Sequence, residues 1–241
     1  MDWFSEWFDS PYYHILYKNH DLQEAELFID NLSSLLSLKK NQKIIDIPCG
    51  KGRHCIYLNK KGFDVSGADL SKESIQYASK FSNDTLNFFV HDMRQEFASN
   101  EYDLVLNIFT SFGYFESEQD DYKCIESFSK ALKKGGKLVV DFMNADKVIA
   151  NLVHEETKLI DGISFKLNRY IRDNKIIKEI SFSDKGQNYH FTESVKIIHK
   201  EDFIKYFTFA GCSPKHIFGD YQLNVFEEKT SDRLILIAEK N

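Results

Sequence analysis

Between residues 43 and 143 the chain alternates short apolar runs with stretches of helical periodicity. Lys43–Ile47, Phe63–Asp69, Leu86–His91, Tyr102–Ile108 and Lys137–Met143 read as strands. Tyr102–Ile108 is nearly continuous in apolar residues, as a strand covered on both faces should be. The intervening segments read as helices: Arg53–Lys60 with Gly62 as its C-cap, residues 72–81 capped by Ser71, and Glu118–Leu132, closed by a Lys133-Lys134-Gly135-Gly136 turn. Strand–helix repetition of this kind implies a parallel sheet with right-handed crossovers.

The flanks follow other patterns. Residues 1–18 concentrate aromatics (Trp3, Phe4, Trp7, Phe8, Tyr12, Tyr13, Tyr17), which suits a helical segment covering a core edge or a lid over a pocket. A helix is expected over Asp21–Leu38, with Asp21 and Glu24 as a capping box and Ala25, Phe28, Ile29, Leu32, Leu35 and Leu36 as its apolar stripe. Beyond about residue 155 come three expected strands, Ile163–Arg172, Lys175–Ser183 and Asn188–Ile198, joined by turns at Asp173-Asn174 and Asp184–Gln187. A helix over Glu201–Ala210 and strands at Lys215–Tyr221 and Arg233–Glu239 close the chain. The expected organisation is therefore an N-terminal helical and aromatic lid (1–40), an α/β core (41–155 and 200–241), and an antiparallel β insertion roofing a pocket (156–199).

Composition narrows the class. The 241 residues suffice for one sizeable core, and with 42% apolar residues and 3 prolines no long disordered tract is expected. A net charge of -6 without a dense basic run disfavours nucleic acid. Cys49, Cys55, Cys124 and Cys212 lack CxxC spacing, which argues against zinc or a disulfide scaffold and for reduced thiols. The histidines lack ligand spacing, so no metal is expected. The N-terminus carries acid where a signal peptide carries base, and no apolar run reaches membrane-spanning length, so a cytoplasmic protein with no membrane partner is expected.

The chemistry concentrates at strand ends. Gly50 and Gly52 let the backbone turn sharply after the first strand and admit a ligand close to it. Asp46 ends that strand as a carboxylate among apolar residues, which calls for a partner such as a ligand ammonium. Asp69, ending the second strand, can accept both hydroxyls of a ribose. Asp92, after the third, can accept an adenine amine while Met93 packs on the ring. Gly50–Cys55 nearly fits the dinucleotide pattern G-x-G-x-x-G/A, but Pro48 in the turn and Asp46 beside it argue against a pyrophosphate.

Ile44–Gly52, Val65–Ser71, Val90–Met93, Tyr102–Asn107 and Ala131–Leu138 together resemble the successive motifs of class I S-adenosylmethionine-dependent methyltransferases of the small-molecule type. Pro48 departs from the glycine common there. The resemblance implies a Rossmann-like, doubly wound seven-stranded sheet, mostly parallel with an antiparallel final strand, plus the inserted ribbon. It implies S-adenosyl-L-methionine as cofactor. By that likeness the loop from Pro48 through Cys49, Gly50 and Gly52 holds the methionine portion together with Asp46. Asp69 and Leu70 hold the ribose, His91, Asp92 and Met93 the adenine, and Asn107, Ile108 and Phe109 lie near the methionine amine.

Ile108–Phe115 lacks the Asn/Asp-Pro-Pro-Tyr signature of base-methylating enzymes and is aromatic and uncharged, which suits a small amine or hydroxyl acceptor. Tyr13, Tyr17, Phe109, Phe112 and Tyr114 are candidates to surround a sulfonium. Tyr114, His190 and His199, with His14 and Glu193, are candidate bases. The expectation is an enzyme that moves a methyl group by in-line displacement, a monomer or homodimer. Its alternatives are a non-catalytic module of the same fold and an NAD-dependent oxidoreductase.

Overall fold

The computed structural model describes residues 3–18 and 22–241. It opens with two short helices, α1 (Trp3–Phe8) and α2 (Pro11–Leu16), the second capped by Ser10, whose Oγ accepts the Tyr12 amide at 3.2 Å. Helix α3 (Leu22–Leu35) follows; Asp21, the expected first half of its capping box, lies outside the described residues. Of the stripe foreseen from Ala25 to Leu36, Ala25, Phe28, Ile29 and Leu32 are buried, which orients this helix on the sheet, whereas Leu35 at its last position is exposed and Leu36 half-buried.

The alternating region folds as β1 (Lys43–Asp46), α4 (Arg53–Lys60), β2 (Asp64–Asp69), α5 (Lys72–Ala78), β3 (Leu86–Val90), β4 (Tyr102–Asn107), α6 (Glu118–Ala131) and β5 (Leu132–Met143). The Ser71 hydroxyl caps α5 by accepting the Ser74 amide at 3.0 Å, as its position predicts. A short helix, α7 (Ala145–Ala150), has no counterpart in the sequence reading.

Next comes an antiparallel sheet of four strands, β6 (Glu155–Ile160), β7 (Ile163–Arg172), β8 (Lys175–Asp184) and β9 (Gln187–Lys196), where the sequence pattern gave three. Strand β6 escaped notice because it lies at the sheet edge and no residue in it is buried; its Leu159 is 76% exposed. Without a buried face there is no alternation to read. The chain closes with α8 (Lys200–Phe209), β10 (Cys212–Phe218) and β11 (Arg233–Lys240).

The main sheet has seven strands in the order β10-β11-β5-β4-β1-β2-β3. All pairings from β5 to β3 are parallel, whereas β11 is antiparallel to both neighbours. This is the fold class expected. One face of the sheet packs Val105, Leu138 and Val140 against Phe128 of α6 and Phe203 of α8. The other packs Ile44, Val65 and Leu104 against Phe28 of α3 and Leu58 of α4. The four-stranded sheet has its own apolar face, where Phe165, Ile180 and Phe182 meet Trp7 and Leu16. The aromatic N-terminal helices are thus packed on the ribbon, and ribbon and helices together lie over one end of the main sheet.

Candidate active site

A cavity of about 170 Å³ lies beside the carboxyl ends of β1, β2 and β3, where open α/β sheets bind ligands. Its floor comes from the β1–α4 turn, with Ile47, Pro48 and Gly50, and its side from Asp69, Leu70 and Ser71. His91, Asp92 and Met93 line it after β3, and Phe109, Ser111, Tyr114 and Phe115 after β4. Phe8, Tyr13 and His14 reach it from the N-terminal helices.

Asp69 is fixed by the backbone at the side of the cavity. Its Oδ2 accepts the Gly50 amide at 2.7 Å and its Oδ1 the Ser71 amide at 2.8 Å. Each carboxylate oxygen has a second lone pair to offer. Burial raises the Asp69 carboxyl above the ordinary range, and the two amides only partly offset this. At Gly50, whose φ is +53°, an added Cβ would meet no atom within 4 Å, so the backbone leaves a cradle open there.

Asp92 is differently placed. Both of its oxygens take hydrogen bonds from the Arg94 side chain, the shortest from Nη2 at 2.6 Å, and Oδ1 also accepts the Arg94 amide at 3.0 Å. Burial pushes this carboxyl up, and the Arg94 bonds more than reverse the effect, leaving it low. His91 Nε2 lies 3.1 Å from the Gln95 carbonyl.

Other residues assigned from sequence to the cofactor stand behind the cavity wall. Asp46 is 0% exposed, with Oδ2 at 3.3 Å from His54 Nδ1 and 3.8 Å from Cys55 Sγ. It turns to α4 rather than into the cavity, because the sharp turn after β1 carries the chain over it. Its Oδ1 has no partner among the described residues. Asn107 is equally buried and donates from Nδ2 to the Ile47 carbonyl at 2.8 Å, while its own Oδ1 has no partner among the described residues. Cys49 and Ile108 are core residues. At Gly52 a Cβ would fall 2.7 Å from the Phe88 ring, so this glycine permits close packing on β3 rather than ligand approach.

Tyr17 is likewise drawn away, its hydroxyl donating to Glu193 Oε1 at 2.6 Å. Phe112 is core, packed on Phe203. Of the candidate bases, Tyr114 and His14 line the cavity. His190 does not: it lies on the ribbon, paired with Ser181 Oγ at 3.0 Å. His199 precedes α8 and pairs with Asp146 at 3.2 Å. Glu193 serves the N-terminal helices instead, accepting Trp7 Nε1 at 2.7 Å and Lys178 Nζ at 3.2 Å. Among the described residues no cluster of ligating side chains could hold a metal.

The post-β4 loop is held by a network the sequence reading missed. Asp141 on β5 accepts the Phe109 amide at 2.7 Å, Tyr221 Oη at 3.1 Å and Arg233 Nε at 2.8 Å. Arg233 Nη2 also reaches Thr110 Oγ1 at 2.9 Å. Phe109 and Thr110 both have positive φ, 61° and 56°, a strained state for side-chain-bearing residues that these bonds enforce. Phe109 stacks on His54, 4.9 Å between ring centroids, under the Arg53 guanidinium at 4.6 Å.

Residues 38–211 match the family model described as a methyltransferase domain. The chain belongs to this methyltransferase family. Two curated relatives are informative. A putative methyltransferase of Bacillus subtilis, YqeM, is 31% identical over 115 residues, which are 46% of this chain and 47% of that protein, so this match spans about half of each. The dTDP-3-amino-3,4,6-trideoxy-alpha-D-glucopyranose N,N-dimethyltransferase of Streptomyces venezuelae is 26% identical over 187 residues, covering 73% of this chain and 77% of its own. Among solved structures, an S-adenosylmethionine-dependent methyltransferase from Clostridium acetobutylicum superposes with a TM-score of 0.81 at 20% identity, over 95% of this chain and 96% of that one. The S-adenosylmethionine-dependent class expected from the motifs is the one to which this methyltransferase belongs, and neither alternative reading is favoured.

Proposed function

We propose that this methyltransferase moves a methyl group from S-adenosylmethionine to the nitrogen of a small-molecule amine in the cytoplasm. The observation that carries the cofactor half is Asp69, a desolvated carboxylate fixed by two backbone amides at the edge of a cavity over an open Gly50. In this reading Asp69 and Leu70 hold the ribose hydroxyls. Pro48, Gly50 and Phe109 bound the methionine portion, and the 91–93 backbone with Met93 receives the adenine. Asp92 orients that loop through Arg94, since its own acceptor capacity is largely taken. Asp46 and Asn107, with their unpartnered Oδ1 atoms beneath the floor, supply the polar capacity nearest the amine end. When bound, the cofactor supplies an electrophilic methyl on a sulfonium.

The protein's own part is alignment and exclusion of water. Phe8, Tyr13 and His14 close the cavity from the N-terminal helices, and the ribbon holds those helices in place, so α1 and α2 act as lid and the 156–199 ribbon as roof, while α3 belongs to the core. The nitrogen acceptor is favoured by the amino-sugar relative, whose coverage is broad on both chains. Calorimetric titration with S-adenosylhomocysteine, run beside NADH, tests the cofactor assignment. Release of S-adenosylhomocysteine with a panel of amino sugars and simple amines tests the acceptor. Binding of NADH in preference to S-adenosylhomocysteine ends the reading.

A further inference from the structure

Methylating an amine at neutral pH has a requirement the cofactor does not meet. The acceptor arrives largely as an ammonium, and its lone pair is blocked until a proton leaves. The cavity's other titratable groups are committed elsewhere. In the reading above Asp69 takes the ribose hydroxyls and His91 stands at the adenine end, its Nε2 3.1 Å from the Gln95 carbonyl, while Asp92 is held by Arg94. The Tyr114 hydroxyl donates to the Thr110 carbonyl at 2.5 Å, and burial raises both Tyr13 and Tyr114 well above the phenol range, so neither supplies a phenolate.

His14 is different. It lines the cavity from α2, its ring meets Tyr13 edge-on at 5.4 Å, and its Nε2 is buried with no partner among the described residues. A buried polar atom without a partner costs stability and is retained at functional sites.

We propose that His14 Nε2 accepts the hydrogen bond of the acceptor amine and takes its proton. This rests on the amine-methylation reading above. One N–H bond of the ammonium breaks, its electron pair stays on nitrogen as the attacking lone pair, and the proton forms the new N–H bond of the imidazole, which passes it to solvent.

The electrostatics suit that role. Burial and the Lys51 ammonium lower the His14 value, while Glu73 on α5 and Asp9 before α2 pull it back up without restoring it. The ring is therefore neutral at neutral pH and, with Nδ1 protonated, presents Nε2 as an acceptor.

The test uses the full chain, labelled with 15N-histidine and saturated with S-adenosylhomocysteine, with the His14 resonance assigned by its loss in His14→Gln. Methylammonium is the probe, and tetramethylammonium, which has the charge but no N–H, is the control. The inference expects the His14 Nε2 signal to move on addition of methylammonium, to stay still with tetramethylammonium, and to lose its response as pH falls and the ring protonates. An Nε2 signal that ignores methylammonium, or answers both cations alike, overturns it while leaving cofactor binding intact. Failure of the labelled protein to bind S-adenosylhomocysteine removes the methyl-transfer reading and this inference with it.

Discussion

The Asp141 carboxylate accepts the Phe109 amide at 2.7 Å, although the two residues sit on different segments 32 positions apart. Through that bond β5 fixes the loop that forms one wall of the cavity. Asp141 is fully buried, and its charge is balanced by Arg233, which is held charged against the cost of burial by this same acid. Asp141→Asn keeps the shape and removes the charge, leaving the Arg233 guanidinium buried without a counter-ion. The expected loss is about 3–5 kcal/mol of stability, the range for breaking one side of a buried pair. With Phe109 released from its left-handed conformation, S-adenosylhomocysteine binding weakens as well, by about tenfold. Urea unfolding and calorimetry check the two halves; a variant as stable as the parent shows that the network is incidental.

Asp69 carries the cofactor assignment and is tested directly. Asp69→Ala removes the acceptor for two hydroxyls together with the partners of the Gly50 and Ser71 amides, so S-adenosylhomocysteine affinity falls by roughly 1.5–3 kcal/mol, the scale for a charge-assisted bond. Because burial raises the Asp69 carboxyl, it protonates at higher pH than an ordinary aspartate. The ligand favours the charged form, so binding in mildly acidic solution releases a proton and affinity declines as pH falls through the raised value. Calorimetry in buffers of different ionisation enthalpy reads that proton. Unchanged affinity in the alanine variant takes Asp69 out of the site.

The N-terminal helices are fastened at Glu193. Its carboxylate collects Trp7 Nε1 from α1, the Tyr17 hydroxyl from beyond α2, and Lys178 from β8, whose ammonium burial pulls down. Glu193→Gln loosens all three contacts at once. The expected result is faster hydrogen exchange across residues 3–18, with β1 and β4 still protected, and a rise in KM where the acceptor is known. Deleting residues 1–18 is the stronger version and abolishes turnover if they form a lid; a fully active truncated protein shows that they only pack.

Much of this architecture is legible in the chain because buried parallel strands write themselves as apolar runs. β1 and β4 are such runs, and Asp69 stands out because it ends the strand β2 beside the Gly50 turn on its neighbour. Other features leave no local trace. Asp141 lies inside an apolar strand, and its partner Arg233 is 92 residues away, so the pair exists only once β5 and β11 are side by side. His14 is one of several candidate bases in the chain, and only its place at the cavity and a buried Nε2 with no partner among the described residues set it apart from His190 and His199. Asp46 is legible only in part: a carboxylate at a strand end looks like a ligand contact, and the fold turns its Oδ2 towards α4 and His54 while Oδ1 has no partner among the described residues.

A last prediction concerns Asp121 on α6, which anchors the ribbon to the core through Lys196 Nζ at 2.5 Å. The carboxyl is fully buried and its Oδ1 has no partner among the described residues. Burial raises its pKa to about 6, and Lys196 only partly counters this. In the unfolded chain the same group titrates at about 3.9. Between those values the folded protein holds a proton that the unfolded chain releases, so this group's contribution is fully present below the unfolded value and is lost as pH rises towards 6. That is the reverse of an ordinary paired aspartate, and the loss is at most about 3 kcal/mol. Asp121→Asn stays neutral throughout and can still accept from Lys196. Its stability relative to the parent should therefore rise as pH goes from about 4 to about 6.5, then level off. Urea unfolding of both proteins across that window reads the difference, in which the other acids cancel. A constant difference, or one that falls as pH rises, shows that Lys196 dominates and that Asp121 is an ordinary low-pKa partner.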